Sequence, residues 1–142
     1  MSTPNNALQA AVYTRLINYA PLTAALGGAK VYDHVPQGTA APYVVIGANT
    51  LTDAGSKTGS KWEFTVTIHA WDFEKAGRKS VNAVLGHVFD ALHQQEANIT
   101  VAGFALVQVR WEFEETVQET ATEGGTDHYY HGVQRYRALV TT

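Results

Sequence analysis

Val31 to Gly47, VYDHVPQGTAAPYVVIG, is the stretch whose reading decides the fold. A strand-like run over about 31–35 stops at Pro36. A Gly-Thr-Ala-Ala loop follows, and Pro42 starts Tyr43-Val44-Val45-Ile46 as a second strand over about 42–50. Proline has no backbone donor, so it sits at the first residue of a strand or on a sheet edge. The stretch holds no nucleophile–base pair and no metal-ligand spacing, so it reads as architecture.

Outward from it, both flanks carry periodic patterns. Upstream, Asn5 or Asn6 is the expected cap of a helix whose Leu8, Val12, Leu16 and Tyr19 recur at helical spacing. Pro21 disturbs that helix and Gly27-Gly28 closes it. Downstream, residues 52–60 contain no large apolar side chain and read as a long mobile hairpin loop, since nothing there offsets the entropy of ordering. Trp62, Phe64, Val66 and Ile68 then alternate with polar residues, the mark of a half-buried strand. Val81, Val84, Leu85, Val88, Phe89 and Leu92 form one stripe of a second helix. Alternation resumes from Asn98 to Glu115 around a Gly103 turn, residues 116–126 read as a polar loop, and His128–Val140 as a last strand. The expectation is a single α+β domain over 1–142. Its mostly antiparallel sheet carries two helices packed on one face, in the order α-β-β-β-α-β-β-β.

Composition narrows the function. Hydrophobic residues make up 45% of the chain, which argues against disorder, and charged residues 16%, below the usual share of roughly 25%. Low charge favours association. A net charge of −3 gives no basic footprint for tight nucleic-acid binding. The absence of cysteine excludes disulfides, thiolate catalysis and Cys-based zinc sites. The first residues have neither the basic nor the apolar segment of a signal peptide, and no apolar run is long enough for a bilayer span, so no membrane partner is expected.

Catalytic and ligand-binding patterns do not form. His128 and His131 fall on opposite faces of a strand, and His87 and His93 diverge around a helix. His34 and His69 can meet only through tertiary contact. Gly55-Ser56-Lys57-Thr58 is not a phosphate loop: the G-x-x-x-x-G-K-[ST] spacing is missing and the segment leads into a strand. Trp62, Trp71 and Trp111 have acidic neighbours, so core packing is expected of them. Glu112, Glu114, Glu115, Glu119 and Glu123 concentrate acid, while the ten Lys and Arg residues are scattered along the sequence. Glu112 and Glu114 are expected on one strand face, with Trp111 and Phe113 on the other. A solvated strand face and a functional negative surface both remain open for these glutamates.

The order of these segments resembles the tail-completion or tail-terminator (head–tail joining) proteins of long-tailed bacteriophages and gene transfer agents. The residues that carry the resemblance are an N-terminal amphipathic helix, Val31–Pro36 with Ala41–Gly47, the strand from Trp62 to Trp71, the helix around Val81–Leu92, and the closing His131-Gly132-Val133-Gln134-Arg135-Tyr136-Arg137. The resemblance implies a structural protein without catalytic residues, cofactor or metal. It implies a ring of identical subunits, typically hexameric, that caps the tail tube and meets a head–tail connector or neck protein in the particle. DNA passes through such a ring without specific binding, and assembly takes place in the bacterial host cytoplasm. On that footing Asp53, Gly55, Ser56, Lys57, Thr58, Gly59 and Lys61 are the expected assembly loop. Some of Glu112, Glu114, Glu115, Glu119 and Glu123 are expected to face the channel, since carboxylates repel DNA. Lys57, Lys61, Arg135 and Arg137 are expected nearer subunit contacts. The competing reading is a small-ligand-binding or enzymatic α+β domain with a deep site between sheet and helices.

Overall fold

The computed structural model describes residues 2–73, 75, 77–120 and 128–142. In chain order the elements are α1 (Asn5–Ile17), α2 (Ala20–Leu26), β1 (Val31–Tyr32), β2 (Tyr43–Asp53), β3 (Lys61–Phe73), α3 (Gly77–Leu92), a 3-10 turn (Glu96–Asn98), β4 (Ala105–Thr120) and β5 (His128–Thr141). The strands form one sheet in the spatial order β1-β2-β3-β5-β4.

α1 starts from Pro4, whose φ of −75° already suits a helix, and no side chain caps it. The expected cap, Asn5, lies inside the helix and accepts a hydrogen bond from Asn49 Nδ2 at 2.5 Å. Leu8, Ala11, Val12 and Leu16 give its buried stripe. Pro21 separates α1 from α2 by occupying the first turn of the latter, where its missing N–H costs nothing. α2 ends on Gly27 at φ 78°, with Gly28 N donating to Thr23 O and Gly27 N to Ala24 O. That double bond pattern satisfies the last carbonyls and needs a left-handed residue, hence glycine.

β3 sits near the middle of the sheet. Phe64, Val66, Ile68 and Ala70 are buried toward the helices, as are Gly132, Gln134, Tyr136, Ala138 and Val140 of β5. α3 lies across them, and α1 and α2 pack on α3 and beside it. The helix comes close at Gly132, where an added Cβ would stand 2.6 Å from Val81 Cγ1 and 2.7 Å from Leu85 Cδ1.

This architecture corrects the expected one while staying α+β. Among the described residues there are three α-helices, not two, because Pro21 starts a new helix and does not merely disturb the first. The order is α-α-β-β-β-α-β-β. Ile99 and Val101 are buried as their alternation requires, yet no strand pairs with them. They point into the core from an irregular segment that turns at Gly103, φ 81°. The sheet is mixed: β1 runs parallel to β2 through Val31–Val44 and Tyr32–Val45, and the other pairings are antiparallel. β1 is also only two residues long, not five. β4 continues through residues 116–120, expected as loop, because cross-strand pairs with β5 hold it to Thr120.

Candidate functional site

The space between sheet and helices, where a ligand site would be expected, holds an apolar cavity of about 20 Å³ bordered by Leu8, Val12, Phe64, Leu92 and Tyr136. That is room for about one water and offers it no polar partner. The chemically mixed surface lies on the other side of the sheet, which none of the helices covers.

One end of this open face carries a cluster drawn from three strands. His69 of β3 and His131 of β5 meet through Nδ1 and Nε2 at 2.7 Å, with their ring planes inclined by 23°. Trp71 stacks on His131 with ring centroids 3.9 Å apart and planes 7° apart. Glu119 of β4 approaches His131 Nδ1 at 3.3 Å. Gly47 makes the room: a Cβ there would lie 2.6 Å from His69 Nε2. The donors do not converge on one point, because Glu119 reaches the nitrogen of His131 that faces away from His69. Among the described residues no group of three His, Asp or Glu side chains has metal-site geometry. A hydrogen bond between two imidazole nitrogens needs one N–H and one lone pair, so two fully protonated rings cannot keep it. Burial, and then the neighbouring His131, lower the His69 pKa; Glu119 opposes them.

The sign of the resulting pH dependence follows. Below about pH 6.5 the unfolded chain takes up the His69 proton more readily than the folded one, so stability falls as the pH drops through that region. The thermal midpoint of the wild type should therefore decline on acidification more steeply than that of His69→Gln. Coincident pH curves for the two proteins would exclude this role.

The opposite end of the same face gathers basic residues around Glu63, which stands across from Leu139. Arg110 stands directly across from Arg137, and Arg135 follows two residues before it in β5. Lys61 pairs with Thr141 at this end, and Lys57 lies in the adjoining hairpin tip. Basic residues scattered in sequence are thus gathered by the register. Gln108, with its amide oxygen facing the guanidinium, accepts from Arg110 Nε at 2.9 Å. Among the described residues, no carboxylate pairs with Arg110, Arg135 or Arg137.

The glutamates do not form one face. A bulge between Trp111 and Phe113 shifts the alternation by one residue. Glu114 consequently joins Trp111 on the helix side, accepting from Trp111 Nε1 at 3.3 Å and Gln134 Nε2 at 2.9 Å. Phe113, Glu115, Val117 and Glu119 fall on the open face, and Glu112 is exposed at the bulge. Glu123 lies outside the described residues. The expectation that Glu112 and Glu114 share a face opposite Trp111 and Phe113 fails for this reason. Of the three tryptophans, Trp62 packs at the core rim against Phe104, while Trp71 is on the open face and Trp111 is 37% exposed.

The expected assembly loop is shorter than its composition suggests. β2 and β3 stay paired to Asp53–Trp62, Ala54 N donates to Lys61 O, and Ser56 N donates to Gly59 O across a tight turn. Asp53 Oδ1 accepts from Gly55 N at 3.0 Å. Lys57 and Thr58 form the exposed tip.

The free edge of β4 is capped at Val109, Trp111 and Thr116. Val109 N donates to Glu96 Oε1 and Val109 O accepts from Gln94 N. Trp111 N donates to His93 Nδ1, and Thr116 O accepts from Arg78 Nη1 at 3.3 Å. At the other edge β1 is two residues long and pairs only with Val44 and Val45 of β2. Phe73 and Phe113, 46% and 44% exposed, stand on that face.

The His69–His131 pair is the feature that sequence reading missed. The two residues are 62 positions apart, and only the register of β3 on β5 joins them. The signal available was Trp71, His69 and Gly47 at same-face spacing, a small residue beside a large ring.

A filled core behind an uncovered, chemically mixed sheet face is the build of a structural subunit that packs against other proteins. The chain belongs to the tail completion protein gp17 family, whose model matches residues 10–141. No curated protein sequence matches it. Among solved structures, a chain in the virion of a native gene transfer agent (GTA) particle superposes with a TM-score of 0.85 and 28% identity, over 100% of both chains. The protein is accordingly a structural component of the tail of a phage-like particle.

Proposed function

We propose that this chain forms a ring, hexameric in the typical case, that terminates the tail tube and joins tail to head, with DNA passing through it. Its partners are further copies of itself, the tail tube protein and the head–tail connector or neck protein. It turns over no substrate and is assembled in the bacterial host cytoplasm. The observation that carries this reading is the full-length superposition on a gene-transfer-agent virion chain. A sheet face that none of the described helices covers fits it. The carboxylates best suited to the bore are the open-face pair Glu115 and Glu119, which repel DNA and deny it counterion-releasing contacts.

Light scattering coupled to size-exclusion chromatography, with electron microscopy of the peak, tests the ring. Closed rings are the expected species; a chain that stays monomeric at every concentration overturns the reading. The hairpin tip is proposed to order against a neighbour. Replacing Gly55–Ser60 by an Asn-Gly turn keeps the Ala54–Lys61 pairing and should leave the thermal midpoint nearly unchanged. Ring assembly should be lost, and a shortened protein that assembles like wild type would remove the tip from the contact.

A further inference from the structure

The two edges of the sheet end differently. Side chains cap β4, whereas β1 ends at Tyr32 and follows β2 only along Val44 and Val45. From Ala48 to Asp53 every residue of β2 except Leu51 is exposed. Ala54 N donates to Lys61 O, toward β3, and residues of an antiparallel strand turn their N–H and C=O groups to alternate sides. Asn49, Leu51 and Asp53 therefore turn theirs outward. Among the described residues, nothing bonds these main-chain groups there. A row of unpaired N–H and C=O groups accepts another extended backbone, so the occupant of this edge is a strand.

We propose that β2 pairs with β2 of a second copy of this chain, antiparallel, across a two-fold axis at Leu51. The edge is complementary to itself in that register. Leu51 faces its own counterpart and Asn49 faces the partner's Asp53, so all three outward residues meet outward residues. Each such pair exchanges two main-chain bonds. The side chains agree: Asn49 keeps an amide hydrogen beyond the one given to Asn5 Oδ1, and Asp53 a carboxylate oxygen beyond the one bonded to Gly55 N. Thr50 faces the partner's Thr52, a pair that packs well across strands. Beyond Asp53 the partner's hairpin runs toward Ile46, where α1 and β2 border a groove of about 400 Å³ lined by Gln9, Tyr13 and Asp33. Subunits arranged about one axis share no two-fold, so this pairs copies outside the ring and stands apart from the ring reading.

The chain has no cysteine, so single thiols report the register. In an oxidising glutathione buffer the Leu51→Cys protein should cross-link to a dimer, because a hydrogen-bonded antiparallel pair sets its Cα atoms about 5.5 Å apart. Thr52→Cys should cross-link about tenfold more slowly or not at all, since its two copies lie diagonally, about 7–8 Å apart. Light scattering below the concentration at which rings close should show wild-type dimers. Asn49→Asp sets like charges across the strands and should weaken them about tenfold; Asn49→Asp/Asp53→Lys makes the same pairs opposite and should restore them. Asn49, Thr52 and Asp53 are exposed and Leu51 is half-buried, so all four proteins should keep the wild-type circular dichroism. A wild type that passes from monomer to ring without a dimer, a Leu51→Cys protein that cross-links no faster than Thr52→Cys, or a double variant as weak as Asn49→Asp overturns the pairing and leaves the ring reading standing. Dimers that never give way to rings support the pairing and overturn the ring reading.

Discussion

Leu85→Ala should lower the stability by about 2–5 kcal/mol, the usual range for emptying a fully buried leucine site. Leu85 is 0% exposed and packs over Gly132 of β5. The site tests a second point. Gly132→Ala places a methyl group 2.7 Å from Leu85 Cδ1 and 2.6 Å from Val81 Cγ1, so the helix must lift or the side chains must leave their rotamers. Overpacking of that kind costs about 1–3 kcal/mol. The two changes need the same space from opposite sides. Denaturant melts of the single and double variants should therefore give a double loss smaller than the sum. Strict additivity would mean that Gly132 does not set the height of α3 above the sheet.

Gln134→Leu should cost about 2 kcal/mol although it puts an apolar side chain into a buried position. Gln134 is 0% exposed and fully engaged: its Oε1 accepts from the Tyr136 hydroxyl at 2.7 Å, and its Nε2 donates to Leu85 O and to Glu114 Oε1, both at 2.9 Å. Removing the amide strands the Tyr136 hydroxyl in a place where burial, then Glu114 and Asp90, already hold its pKa far above the ordinary tyrosine value. Adding Tyr136→Phe removes the stranded group. The double variant should then be no less stable than Gln134→Leu alone, because replacing both partners by apolar groups avoids an unsatisfied one. A further loss of stability on adding Tyr136→Phe would show that the hydroxyl finds another partner.

The sequence displayed what is local. Leu8, Val12 and Leu16 at helical spacing, the stripe from Val81 to Leu92 and the alternation from Trp62 to Ile68 all became the elements they suggest. It misled where one residue has two meanings. Pro21 ends a helix or begins one with equal ease, since the first turn needs no N–H from it. Ile99 and Val101 alternate like a strand because both reach the core, but no neighbouring strand has a place for them. The Trp111–Phe113 bulge is invisible in the residue pattern, and it alone moves Glu114 to the helix side and Glu115 to the open face. The candidate surface was the least legible part. Arg110, Arg135 and Arg137 become one patch, and His69, His131 and Glu119 another, only through the pairing of β3 and β4 on β5.

The covered edge of β4 has a bearing on how the particle is built. Strand-to-strand growth is the route by which sheet proteins at high concentration turn into fibres. Glu96, Gln94, His93 and Arg78 occupy that route at Val109, Trp111 and Thr116 of β4. A neighbouring chain adding here as a further strand would first have to displace the bonds to Val109, Trp111 and Thr116.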